Sequence, residues 1–190
     1  MFVREKIVAF ILILLLGSLT NCTVTHDNNP QKHLFDLNWK FSPGIQNEAA
    51  EVDFNDNNWR SVDLPHDWST DAVLNDFTKK AGTDTVAAET GWYRKFFEIP
   101  ENWTGKRIVI DFDGISGQHE IFINGVSVKC SENGALDTKA DITPYLNPKA
   151  NNLIAIRVKV PKESGSVWKA ESGIFRHAWL VIKDKSDFRE

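Results

Sequence analysis

The sequence predicts an all-β protein that folds as an antiparallel β-sandwich, and three observations support this fold class. Short segments alternate apolar with polar residues, which is the period-2 pattern of half-buried strands. Turn residues such as Asn124-Gly125 separate these segments, and no stretch carries a convincing 3.6-residue period. The 190 residues are 42% hydrophobic and 25% charged, which is typical of a globular protein.

Each predicted strand is recognised by its alternation and by the residues that end it. Residues 91–99 stop at Pro100, which cannot donate to a sheet, and residues 107–112 stop at the turn Asp113-Gly114. Asn124-Gly125 predicts a hairpin because both turn positions need a positive φ. Residues 141–146 could form at most one helical turn. In chain order the predicted strands are 37–41, 91–99, 107–112, 120–123, 126–129, 154–160 and 178–183.

The amino-terminal segment indicates export. Arg4 and Lys6 precede an apolar run over residues 7–16, which is too short for a membrane span of about 20 residues but fits a secretory signal. Residues 17–22 (GSLTNC) are similar to the end of a bacterial lipoprotein signal, which implies cleavage after residue 21 and acylation of Cys22. We therefore expect the periplasm, outer membrane or cell surface of a Gram-negative bacterium, with the lipid as the one membrane contact.

The two cysteines leave an alternative open. If ordinary signal peptidase cleaves instead and Cys22 stays unmodified, a disulfide between Cys22 and Cys130 is conceivable in an oxidising compartment. If Cys22 is acylated, Cys130 is a lone thiol, and we expect it to be a small buried filler.

Composition and length divide the chain and exclude two classes of function. The net charge of −4 argues against a nucleic-acid partner, and 190 residues are too few for a (β/α)₈ barrel of about 250. Residues 22–32 are polar and read as a tether, residues 33–185 as the globular domain, and residues 186–190 as the start of a linker. Residues 69–90 form a long connection of the kind that is usually functional or mobile.

Seven sequence motifs, which follow one another along the chain in the same order as in a known family, indicate a family resemblance. Taken together they resemble the amino-terminal sugar-binding domain, a galactose-binding-like jelly roll, of β-galactosidase-like family 2 glycoside hydrolases. The resemblance covers about residues 34–182. In chain order the motifs are residues 54–68 with FNDNNW and VDLPHDW, 91–95 (GWYRK), 112–125 with FDGI and ING, 141–146 (DITPYL), 152–158 (NLIAIRV), Trp168 with 172–176 (SGIFR), and Trp179-Leu180.

The resemblance implies an order of domains in which this sandwich precedes an immunoglobulin-like domain and a barrel with two catalytic glutamates. Retaining glycosidases need two carboxyl groups about 5–5.5 Å apart, and no spacing pairs the glutamates of this chain in that way. We therefore expect no catalytic residue here and no hydrolysis by this domain alone, although the family that it resembles hydrolyses O-glycosyl bonds. The glutamates considered are Glu89, Glu120, Glu132 and Glu171.

The resemblance also implies places for sugar or interdomain contact. His66, Asp67 and Trp68 lie in the loop that approaches the barrel, where interdomain contact competes with a structural role. Ser116 stands where some β-galactosidases carry an Asn that reaches the sugar, and Gln118 and His119 offer further hydrogen bonds.

A second such place lies before and within the SGIFR motif. Trp168 and Glu171 precede it, and Glu171 is the one carboxylate near a position where some members carry an acidic residue. Gly173 is expected to hold a conformation that Cβ forbids, and Arg176 to hold a bidentate partner or an interdomain contact.

The seven tryptophans divide into core and candidate surface residues. Trp39, Trp59 and Trp179 lie in strand-like patterns and are expected to pack in the core, whereas Trp68, Trp92 or Trp168 could stack on sugar. Two alternatives to an accessory domain stay open, a free-standing galactoside-binding surface lipoprotein and a docking domain for a separate catalytic chain. The five histidines lack metal-ligand spacing, and we expect neither metal nor cofactor.

Overall fold

Two antiparallel sheets pack face to face in the computed structural model, which describes residues 30–70, 89–132, 134, 136–160 and 171–184. The four-stranded sheet has the order β1-β12-β6-β9, the six-stranded sheet the order β3-β2-β5-β10-β7-β8, and β4 pairs with β11. The predicted all-β sandwich is confirmed. The strands are β1 (Gln31–Leu34), β2 (Trp39–Pro43), β3 (Arg60–Val62), β4 (His66–Asp67), β5 (Thr90–Phe97), β6 (Arg107–Phe112), β7 (Gln118–Ile123), β8 (Val126–Ser131), β9 (Thr138–Asp141), β10 (Asn152–Lys159), β11 (Gly173–Ile174) and β12 (Ala178–Lys183).

The helical elements that the structure describes are three single 3₁₀ turns, at Trp68–Thr70, Glu101–Trp103 and Thr143–Tyr145. The last of these confirms the single turn predicted for residues 141–146. Over the described ranges, no helix has the length and apolarity that a bilayer crossing requires.

The core lies between the two sheets and is built by the inward half of each alternating strand. Trp39, Tyr93 and Phe112 are fully buried there, and the indole N–H of Trp39 donates to the Phe35 carbonyl at 2.9 Å. Burial of each such side chain stabilises the fold by about 1.5–3 kcal/mol. The prediction that Trp39 packs in the core is confirmed, whereas Trp59 and Trp179 are only half-buried.

The Asn124-Gly125 turn joins β7 to β8 as predicted, with φ values of 51° and 84°. The Asn124 amide also donates to the side-chain oxygen of Asn152 at 2.9 Å, and its own oxygen accepts from the backbone N–H of Leu153 at 2.8 Å. The turn is therefore tied to β10, the next strand of the sheet, as well as to its own hairpin.

A loop over residues 44–59 covers part of the outer face of the six-stranded sheet, and Arg94 holds it there. The Arg94 side chain is fully buried and its Nε donates to the carboxylate of Asp56 at 2.8 Å. Its terminal nitrogens donate to the backbone carbonyls of Ala49, Glu51 and Phe54. A guanidinium offers five N–H donors in one plane, so a single side chain can fix several turns of a loop that has no strand partner.

Two local expectations are corrected by the sheet pairing. Cys130 is exposed and free rather than buried, because its side chain lies on the outer face of β8, where the strand pairs Cys130 with Glu120. The first strand begins at Gln31, inside the segment read as a tether, because pairing with β12 provides a place for polar residues on an exposed edge.

Several sequence predictions lie outside the described residues. They are the signal peptide at 1–21, Cys22, most of the tether, most of the 69–90 connection, Trp168 and the linker at 186–190.

Candidate functional site

One end of the sandwich brings together the motif segments that the sequence placed far apart. Strand β4 pairs with β11 so that Asp67 faces Gly173 and His66 faces Ile174. The residues of this end, His66, Asp67, Ser116, Ser172 and Gly173, are called the motif junction below.

Asp67 ties the β4 loop to the segment before β11. Its Oδ1 accepts the backbone N–H of Ser69 at 2.9 Å and that of Ser172 at 2.8 Å. In return, the backbone N–H of Trp68 donates to the Ser172 carbonyl at 2.9 Å. A carboxylate that accepts two backbone N–H groups makes charge-assisted hydrogen bonds, so Asp67 stabilises the contact between the β4 loop and the segment before β11.

Ser116 joins the third motif segment to the same place. Its hydroxyl accepts the Gly173 N–H at 2.6 Å and donates to the Gly173 carbonyl at 3.1 Å, which the Ser116 N–H also reaches at 2.9 Å. Phe175 packs close to Gly114, where an added Cβ would lie 2.7 Å from the ring. The 112–115 and 172–176 motifs therefore pack directly on each other.

A chain of hydrogen bonds runs from the surface into the core through His66. The Arg60 guanidinium lies 3.0 Å from Nε2, and Nδ1 lies 2.7 Å from the hydroxyl of Tyr93. Because a guanidinium only donates, Nε2 accepts and the Nδ1 proton of the neutral ring points to Tyr93. Burial raises the pKa of Tyr93, so this phenol stays protonated at neutral pH.

Two predicted contact residues are corrected because they lie in the core. Trp68 is 6% exposed and its ring stacks on Phe41 with centroids 5.4 Å apart, so it offers no free face to a sugar. His119 is 3% exposed, with its nitrogens beside the Gly117 carbonyl and the Thr138 hydroxyl. Burial lowers the pKa of His119 and favours the neutral ring.

The remaining predicted residues are at the surface. Gln118 points away from the core beside His119, because neighbouring strand residues face opposite sides. Glu171 and Arg176 are exposed, and the Arg176 guanidinium lies 5.8 Å from the centre of the Phe175 ring.

Sequence reasoning missed Tyr93 and Arg60 as partners of His66. Tyr93 belongs to the GWYRK motif, and its alternation predicts burial, but nothing along the chain shows that its hydroxyl reaches a segment 27 residues earlier. Across the described part of the chain, no three His, Cys, Asp or Glu side chains converge as a metal ligand set.

Comparison with known proteins gives one consistent result. The family model for "Glycosyl hydrolases family 2, sugar binding domain" matches residues 34–183. The β-galactosidase BoGH2A of Bacteroides ovatus is 38% identical over 77% of this chain, and a β-glucuronidase of Formosa agariphila is 29% identical over 79%. Each match spans 17% of the relative.

Solved structures agree in fold. A glycosyl hydrolase family 2 member from Bacteroides cellulosilyticus superposes with a TM-score of 0.70 and 36% identity, covering 80% of this chain and 21% of that one. This chain therefore spans about a fifth or less of the length of these relatives. It belongs to glycosyl hydrolase family 2, of which it is the amino-terminal sugar-binding domain.

Proposed function

We propose that the chain serves as a non-catalytic accessory domain of a glycoside hydrolase that acts on β-galactosides or β-glucuronides. In this role the motif junction faces the catalytic domain and the sugar bound there. The support for the substrate class is that relatives named β-galactosidase and β-glucuronidase both match over more than three quarters of this chain.

The observation that carries the proposal is the set of hydrogen bonds that joins the segments of the motif junction. Asp67 and Ser116 direct their polar atoms at backbone groups of the segment 172–173, so three segments from distant parts of the chain are held as one surface. Such a surface suits precise contact with a neighbouring domain, because little conformational freedom remains to be lost when contact forms. Exposed Glu171 and Arg176, beside it, offer charges to that domain or to the sugar.

A domain exchange tests this role. The amino-terminal domain of BoGH2A is replaced by residues 30–184 of this chain, and hydrolysis of an aryl β-galactoside is measured. We expect the chimera to retain activity within about tenfold of BoGH2A and the isolated chain to have none. A folded but inactive chimera would contradict the proposal, and so would turnover by the isolated chain.

The matched variants are Gly173→Ala, within the motif junction, and Gly105→Ala, which lies outside it. Both glycines have a positive φ, but an added Cβ meets close neighbours only at Gly173. We expect the first chimera variant to lose most of the hydrolysis and the second to keep it. Equal loss in both would contradict a role for this end of the sandwich.

We also propose export, with attachment to a membrane through acylated Cys22. The support is the sequence pattern alone, a basic start, an apolar run over residues 7–16 and a cysteine after residue 21.

A further inference from the structure

A cleft of about 360 Å³ lies on the outer face of the six-stranded sheet, apart from the motif junction. Its volume falls at the lower end of the range of about 300–1,000 Å³ for small-molecule sites. Adjacent strands β5, β10 and β7 supply its floor, and residues 45–47 of the 44–59 loop supply one wall. The name "sheet cleft" is used below for the space between Gln46, Trp92, Gln118, Glu120, Arg157 and Lys159.

The wall of the sheet cleft is fixed in advance. The Gly44 N–H donates to the Thr90 carbonyl at 2.7 Å and the Gln46 side chain donates to the Ser42 hydroxyl at 3.3 Å. Beyond the wall, the same loop is bound by the buried Arg94 through Asp56 and three backbone carbonyls. A loop held in this way loses little freedom when a ligand binds, which favours affinity.

Some polar groups of the sheet cleft bond within the protein, but three others do not. Gln46 donates to the Ser42 hydroxyl at 3.3 Å, and Glu120 binds Arg157 and Ser127. The side chains of Gln118 and Lys159, and the indole N–H of Trp92, make no hydrogen bond to any residue that the structure describes. This contrasts with the motif junction, where Asp67 and Ser116 are occupied by backbone groups. Trp92 is only 5% exposed and its ring stacks on Phe122 with centroids 5.9 Å apart, so it contributes to the floor of the cleft but offers no free ring face to a sugar, contrary to the sequence expectation.

The charges of the sheet cleft balance. Arg157 and Lys159 bring two positive charges, and Glu120 and Glu132 bring two negative ones. Arg157 and Glu120 form an ion pair at 2.7 Å that places a planar donor next to a planar acceptor. An anion or a cation therefore gains no net attraction, whereas a neutral ligand with many hydroxyls finds both donors and acceptors.

We propose that the sheet cleft binds a neutral oligosaccharide, separately from any sugar held at the motif junction. Each hydroxyl of such a ligand can donate one hydrogen bond and accept others, which matches the alternation of guanidinium, carboxylate and amide groups across β10 and β7. The cleft would hold a glycan chain against the accessory domain, and it does not depend on the function proposed for the motif junction.

Calorimetric titration of the full 190-residue chain tests this site. The probe is β-1,4-linked galactotetraose, with tetragalacturonate as its charged counterpart and glycerol as the hydroxyl control. We expect saturable binding of the neutral tetrasaccharide with a dissociation constant of about 0.1–1 mM, and weaker binding of the other two. Absence of saturation up to about 10 mM, or tighter binding of the anion, would overturn the proposal.

Two variants locate the binding and keep the test independent of folding. Arg157→Met and Gln118→Ala alter exposed side chains of the sheet cleft, and Lys149→Ala alters an exposed side chain that does not line it. We expect the first two to weaken binding about tenfold and five- to tenfold, and the control to leave it unchanged. Far-ultraviolet circular dichroism checks the fold of each.

Loss of binding in Arg176→Ala, an exposed residue beside the motif junction, with no change in Arg157→Met would place the sugar at the motif junction. That result would overturn the sheet-cleft site while leaving the accessory-domain proposal intact. Unchanged hydrolysis by the BoGH2A chimera carrying Arg157→Met, together with weaker tetrasaccharide binding by the Arg157→Met chain, would support two separate sites.

Discussion

Gly173 lies directly against Tyr93: a Cβ added at Gly173 would collide with the Tyr93 hydroxyl, and it would also come within 2.7 Å of the His66 carbonyl. Gly173 has a φ of 120°, a conformation that side-chain-bearing residues rarely adopt. Backbone conformation and packing therefore both demand glycine where β11 meets β4.

Gly173→Ala should destabilise the fold by about 3 kcal/mol or more, because strain and a collision in the core act together. Urea unfolding followed by tryptophan fluorescence measures the change. Gly105→Ala is the control, since Gly105 has a φ of 82° but no neighbour within 4 Å of an added Cβ, and we expect a cost of about 1 kcal/mol. Equal costs would show that the collision has no effect.

Ser116→Ala should cost about 1–3 kcal/mol, because the buried N–H of Gly173 loses the hydroxyl that it reaches at 2.6 Å. Unfolding in urea reports the loss. Ser127→Ala is the control, because the Ser127 hydroxyl donates to the Glu120 carboxylate at 2.7 Å at an exposed position. Water can replace that hydrogen bond, so this variant should change the free energy of unfolding by less than about 0.5 kcal/mol. A larger loss of stability in Ser127→Ala than in Ser116→Ala would contradict the role given to Ser116.

Arg94→Met should lower stability by about 3–5 kcal/mol, because it leaves Asp56 and buried carbonyls of the 44–59 loop without a donor. Arg157→Met removes an ion pair of nearly the same length, but the Arg157 side chain is 52% exposed, so the expected cost is about 0–1 kcal/mol. Limited proteolysis of the 44–59 loop should accelerate only in the first variant. Resistance of that variant would mean that the loop does not depend on Arg94.

Stability should fall as the pH drops below about 6.5, the ordinary pKa of histidine, in part through His119. Burial lowers the His119 pKa in the folded state, so the unfolded chain binds more protons in this range and acid favours unfolding. Urea denaturation at pH 7.5 and at pH 5.0 measures the free energy of unfolding at each pH. Its decrease between the two should be smaller for His119→Gln than for the unaltered chain. An identical loss in both would contradict this assignment.

Cys22→Ser should abolish incorporation of labelled palmitate and release the protein from the membrane fraction of an expressing Gram-negative cell. The reason is that the thiol of Cys22 is the expected acceptor of the lipid. Cys130→Ser, at an exposed position of β8, serves as the matched control and should leave labelling unchanged. Membrane attachment that survives Cys22→Ser would contradict lipid anchoring at this residue.

Local chemistry explains how much of the architecture could be predicted from the sequence. Alternation identified β6 and β12 at the bounds that the structure has, and Asn124-Gly125 predicted its hairpin, because strands and tight turns depend on neighbours along the chain. The two-residue strands β4 and β11 were missed, since neither is long enough to show a period. Their pairing exists only because segments 105 residues apart meet through Asp67 and Ser172.

The sequence by itself determined the all-β class, most strands and the family, because these depend on residue order and local pattern. Only the tertiary structure decided what individual side chains do. It placed Trp68 in the core, left the polar groups around Trp92 open to a cleft, and exposed Cys130. The physical reason is that exposure and hydrogen bonding depend on which strands become neighbours across a sheet, and strand order is a property of the whole chain.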